Sequence, residues 1–188
     1  MNSTKADSGR HMKGTSFIDL VKFLKNHRKI NPLPSMSPAT QALLDTHILV
    51  SAWYPLEIFI ELLRVTDQVF VKGNENTALE MGIAAGLNHF NGAHAAYIST
   101  GDPQASVMSM RHAWRAHADF GDLTAEAVDN TTVVFTLKNY RDIPMTHAMM
   151  TAGWGVAAAR FAGAKKSRAE VIDRPWKGAP QSRYQICI

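Results

Sequence analysis

The feature that most constrains this chain is a change of hydrophobic period near residue 120. Up to Ala118 the apolar residues recur at helical spacing, and from Leu123 they alternate as in a strand. Phe17, Leu20, Val21 and Leu24 fall at i, i+3, i+4 and i+7, which predicts a helix over Ser16 to His27. Asn31-Pro32-Leu33-Pro34 breaks it, and Ser37-Pro38 is a helix entry leading to about Thr46. Leu56, Phe59, Leu62, Leu63 and Val69 predict a third helix that Gly73-Asn74 ends. Thr77 to Phe90 is a fourth, and Asp102-Pro103 opens a fifth that runs to about Ala118. Beyond the change, Leu123 to Val128 and Thr131 to Leu137 flank the turn Asp129-Asn130 as a β-hairpin. Pro144 opens a small-residue-rich helix to about Lys165, and Ala169 to Ile172 and Arg183 to Ile188 are two more strands. Helices followed by hairpin, helix and hairpin predict an α+β fold with a four-stranded antiparallel sheet.

Composition agrees with one globular domain: 188 residues, 46% hydrophobic and 19% charged. No apolar run reaches the ~18 to 20 residues needed to span a bilayer, so integral membrane association is not expected. The N-terminus has no signal-peptide core, and the single cysteine, Cys187, cannot close an intrachain disulfide, which together favour the cytoplasm. Residues 1–11 read as an expression-tag remnant ending in Gly9-Arg10-His11, with 12–188 as the domain. The excess of 20 basic over 16 acidic residues is mild. Its two short patches, Lys22, Lys25, Arg28 and Lys29, and Lys165, Lys166 and Arg168, read as solvated helix ends, and no nucleic-acid partner is expected.

Motifs that carry chemistry are few in this chain. There is no phosphate-cradling glycine loop, no G-x-S-x-G elbow and no H-E-x-x-H motif. His112 and His117 lie five residues apart, about 140° around a helix, and cannot share one ion. Gly82-x-x-x-Gly86, Gly153 and Gly155 read as close-packing faces. Met108, Met110, Met145, Met149 and Met150, with Trp114 and Trp154 on the same two helices, read first as ordinary core and second as the lining of a cavity for an apolar ligand or planar cofactor.

Lys13-Gly14-Thr15, the Trp53-Tyr54-Pro55 helix entry, the run from Pro103 through Trp114 to Phe120-Gly121, and the strand Arg183-Tyr184-Gln185-Ile186 resemble an uncharacterised paralogous family of myxobacteria and relatives. That family is similar to the superfamily of heme nitric-oxide/oxygen-binding domains, 4-vinyl-reductase-type small-molecule-binding domains and TRAPP tethering subunits. The resemblance implies binding rather than turnover, so no enzyme activity is expected. It implies first a non-catalytic signalling module that holds a small apolar ligand between helices and sheet. Trp53, Tyr54, Met108, His112, Met149 and Trp154 are the candidate lining. A scaffold for a protein partner, working as a homodimer, comes second, and a heme-based gas sensor third. Heme is disfavoured because the Tyr-x-Ser-x-Arg propionate clamp of the heme members becomes Leu137-Lys138-Asn139-Tyr140-Arg141, with His112 as the candidate axial ligand. No cofactor is expected, and Arg174-Pro175-Trp176-Lys177-Gly178 lacks the cysteines of a metal site.

Overall fold

A computed structural model describes residues 9–26, 36–92 and 94–188. The expected end of the first helix at His27, the basic residues Arg28 and Lys29, the break at Asn31 to Pro34 and most of the suspected tag lie outside the described residues. The elements are β1 (His11–Lys13), α1 (Gly14–Asn26), α2 (Pro38–Asp45), β2 (Trp53–Pro55), α3 (Leu56–Thr66), α4 (Glu75–Phe90), α5 (Pro103–His117), β3 (Asp122–Asp129), β4 (Thr132–Lys138), α6 (Met145–Phe161), β5 (Arg168–Asp173) and β6 (Ser182–Cys187). The fold is α+β. Its sheet is antiparallel with the order β3-β4-β6-β5, two hairpins joined by α6.

Local chemistry explains most boundaries. The side chains of Ser37, Asn74 and Asp102 accept the backbone N–H of Thr40, Thr77 and Ala105 and so cap α2, α4 and α5. A carboxylate in the second turn of α3 secures the first of these caps, because Glu61 accepts hydrogen bonds from Ser37 and Thr40. One π-helical turn, Asp67–Val71, extends α3 until Lys72 at φ 53° and Gly73 at φ 72° turn the chain away.

The N-terminal order differs from the expectation. Trp53-Tyr54-Pro55 is not only a helix entry; it is a strand paired with His11–Lys13. Three-residue strands carry too little alternation to be seen as a period. Arg10 and His11, excluded from the fold on sequence grounds, are engaged in it. The Arg10 guanidinium donates to both oxygens of Asp142 at 2.7 Å and lies 5.5 Å from the Tyr140 ring centre. His11 pairs with Asp119, and Met12 bridges to Ala118 just after α5. The short β1 strand therefore ties α3, the end of α5 and the β4–α6 turn together.

The buried face of the sheet carries Leu123, Ala125, Val133, Phe135, Leu137, Tyr184 and Ile186. Helix α6 lies on it so closely that a Cβ at Gly155 would sit 2.7 Å from the Phe135 ring. On its other side α6 meets α4 through glycine. A Cβ at Gly82 would stand 2.5 Å from the Met150 Cα, and one at Gly86 2.6 Å from the Ala157 Cβ. The small-residue faces are thus contact faces, and they bring α4 and α6 together along one side while leaving space on the other.

Candidate functional site: a histidine-lined cavity

That space is a cavity of about 810 Å³ enclosed by α1, α4, α5, α6 and the sheet. It falls within the ~300–1,000 Å³ usual for small-molecule and cofactor sites. Each helix contributes one stripe at helical spacing: Ser16, Leu20 and Phe23 from α1; Thr77, Met81 and Ala85 from α4; Met110, Ala113, Trp114 and His117 from α5; His147, Met150, Thr151 and Trp154 from α6. Leu123 and Phe135 of the sheet complete the wall. Ala84, Ala85 and Ala113 stand where longer side chains would fill the volume. Exposed Lys22, Phe70, Asn76, Glu80 and Asn88 edge the opening.

Histidines stand among the polar groups in and behind this wall. His117, at the end of the α5 stripe, is 9% exposed. Its Nδ1 lies 2.6 Å from the Ala113 carbonyl, and a carbonyl only accepts, so Nδ1 carries the proton. Nε2 of His117 is therefore a lone pair. It faces Nε2 of His94 at 2.7 Å, which must be the donor of that pair. Burial lowers both basicities, that of His94 to about 4 with help from the neighbouring His117, so both rings are neutral near pH 7. His89 stacks on His94 at 5.1 Å, and its Nε2 stands 2.6 Å from Asp19 Oδ2. Trp154 presents its edge or face to His89, His94 and His117 alike.

On α6, His147 is buried and pushed down to about 3 by desolvation. Its Nδ1 is 3.1 Å from the Tyr140 hydroxyl, and Trp114 stacks on the ring. Burial raises the Tyr140 phenol well above its ordinary value, so it stays protonated.

Of the six side chains expected to line a site, Trp154 does so. Trp53 and His112 are exposed at the surface, and Tyr54 packs on Phe17 and donates neither ring nor hydroxyl to the cavity wall. Met149 belongs to a separate apolar cluster with Val71 and Ala78. Met108 is half-buried two residues before the wall residue Met110, on another face of α5. His89, His117 and His147 line the cavity, and the last two stand at apolar positions of their own stripes. A polar residue at a core position of a helical period is the signal that would have found them.

No protein-family model matches the sequence, and no curated protein matches it. Solved structures do match. An H-NOX protein studied for heme distortion aligns with a TM-score of 0.66 at 15% identity, over 93% of this chain and 93% of that one. An Fe(II) unliganded H-NOX protein from K. algicida aligns at 0.65 and 11%, covering 94% and 96%. An H-NOX protein from S. oneidensis in the Fe(II)NO state aligns at 0.57 and 13%, covering 93% and 98%. These neighbours overturn the expectation that no cofactor is implied and that heme is disfavoured, since they point to heme. The candidate axial ligand His112 is exposed, and the cavity histidine of α5 is His117 five residues on. At such low identity the likeness concerns architecture: this chain has the fold of the H-NOX domains.

Proposed function

We propose that the chain is a ligand-binding sensor module whose cavity takes a large, flat, mainly apolar cofactor, with heme as the first candidate. The observation that carries the reading is an 810 Å³ apolar cavity into which one helix brings a histidine whose Nε2 lone pair is already set by its Nδ1–H to Ala113. Metal-ligating histidines have this arrangement, with the second nitrogen donating to a carbonyl that fixes tautomer and ring orientation. His117 would hold the iron, and Trp114, Phe135 and Trp154 would give the ring system its apolar walls. Lys22 at the opening would pair with a carboxylate of the cofactor. Bound heme would supply an iron centre able to take a diatomic gas, as in the Fe(II)NO neighbour. We assign the chain no turnover.

A second reading, an apolar ligand without iron, is favoured by two observations. His94 already occupies the His117 lone pair, and two carboxylates, Asp19 and Glu80, accompany Lys22 on the lining. Heme carries two carboxylates of its own, and like charges on the wall would oppose them. Adding hemin to the purified chain separates the readings. The heme reading expects a sharp Soret band that His117→Ala broadens and shifts. An unchanged band in His117→Ala, or free-hemin absorption with the unsubstituted chain, would reject it and leave the second reading.

A further inference from the structure

The cavity has a second histidine that the heme reading does not use. The His147 ring is clamped between Trp114, stacked at 5.8 Å, and Phe59, edge-on at 5.1 Å, so it cannot turn freely. Its Nδ1 meets the Tyr140 hydroxyl at 3.1 Å. Its Nε2 has no hydrogen-bond partner among the described residues, although the ring is part of the cavity wall. Two proton arrangements are conceivable. If Nδ1–H donated to the phenol oxygen, the Tyr140 proton would be buried with no acceptor, since the hydroxyl has no other hydrogen-bond partner among the described residues. An unmade buried hydrogen bond carries the full desolvation penalty. If Tyr140 donates to Nδ1, that penalty vanishes and the proton of the neutral ring sits on Nε2.

We infer that His147 gives the cavity one fixed hydrogen-bond donor, Nε2–H, held in place by Tyr140, and that the preferred ligand carries an acceptor oxygen at that end. The acceptor is a carbonyl, an ether, or the outer atom of a small molecule bound to a cofactor. The inference rests on the proposal that the cavity binds a ligand, but not on that ligand containing iron. The ring is neutral across the physiological range because burial holds it down to about 3, so it attracts dipoles rather than anions.

A matched pair of flat probes tests this. Fluorenone and fluorene share a three-ring outline, and the first carries a carbonyl. By equilibrium dialysis fluorenone should bind about tenfold more tightly, the worth of one hydrogen bond made inside an apolar site. His147→Leu should bring the ratio of the two affinities to about one. Nitrogen-15 spectra of the unsubstituted chain should show the His147 proton on Nε2, and Tyr140→Phe should release that preference. Equal affinities for the two probes, a ratio that persists in His147→Leu, or a proton on Nδ1 would each overturn the inference and leave cavity binding standing. Failure of both probes to bind would instead remove the cavity reading, and this inference with it.

Discussion

Replacing Gly153 by alanine is expected to destabilise the chain by about 3 kcal/mol or more, at the upper end of overpacking costs. Helix propensity alone predicts the opposite sign, since alanine is favoured over glycine in a helix interior by roughly 1 kcal/mol. The contacts decide the matter. A Cβ at Gly153 would press on the Leu79 carbonyl and stand 2.8 Å from the Ile83 nitrogen and 2.9 Å from the Gly82 carbonyl carbon. These are backbone atoms of α4, so no rotamer change can clear them, and the two helices must separate. That separation would also move Met81, Ala85, Met150 and Trp154, and with them two sides of the cavity. Gly92→Ala is the control, because its nearest atom would be 3.9 Å away. Urea unfolding should show a large drop in midpoint for the first and a change within about 0.5 kcal/mol for the second. A Gly153→Ala chain as stable as the original would mean that α4 and α6 are not in this contact.

The second large effect is with pH. His94, His117 and His147 are each less than a tenth exposed and have lowered native basicities, to about 4 for His94 and about 3 for His147. In the unfolded chain each titrates near its ordinary value of ~6.5. Above that pH both states hold the neutral ring, and the histidines add no pH dependence. Below it the unfolded chain binds protons that the native chain refuses, so stability falls as pH drops from about 6.5 toward 4. His94 and His147 each contribute a slope approaching about 1.4 kcal/mol per pH unit in that window, and His117 adds to it in the same direction. Three together are large beside the 5–15 kcal/mol of an ordinary domain. The depressed carboxylates Glu61, Glu75 and Asp142 act lower, since their stabilisation is lost only as pH falls through their folded values, below the usual carboxylate range. Calorimetry from pH 7.5 to 4.5 should therefore show Tm steady at first and then falling steeply, with uptake of more than one proton on unfolding near pH 5. A flat Tm across this range would place the three rings in water rather than in the interior.

The architecture was legible where a long period carried it. The amphipathic stripe of α3, the Asp102-Pro103 start of α5 and the alternation of β3 and β4 are each set by burial on one face, and the four-stranded antiparallel sheet follows from their order. The β1–β2 pair was not legible, because three residues leave no pattern and their pairing joins positions some forty residues apart. The glycine faces of α4 and α6 could be read as contact faces, but their consequence, a gap on the far side, depends on where α1 and α5 lie. The site itself was hidden for a related reason. Exposed aromatic and titratable residues such as Trp53 and His112 attract attention in a sequence, whereas His117 and His147 sit in apolar stripes where a side chain is ordinarily taken for core. The methionine and tryptophan argument came nearer, since Met110, Met150, Trp114 and Trp154 do line the cavity.

The most direct measurement of cavity binding is tryptophan fluorescence during a hemin titration. Trp114 and Trp154 line the cavity, while Trp53 stands on the surface. Binding in the cavity predicts quenching that saturates at one hemin per chain and is reduced more by replacing Trp114 and Trp154 together with Phe than by Trp53→Phe. Quenching that never saturates, or that disappears with Trp53 instead, would contradict the account.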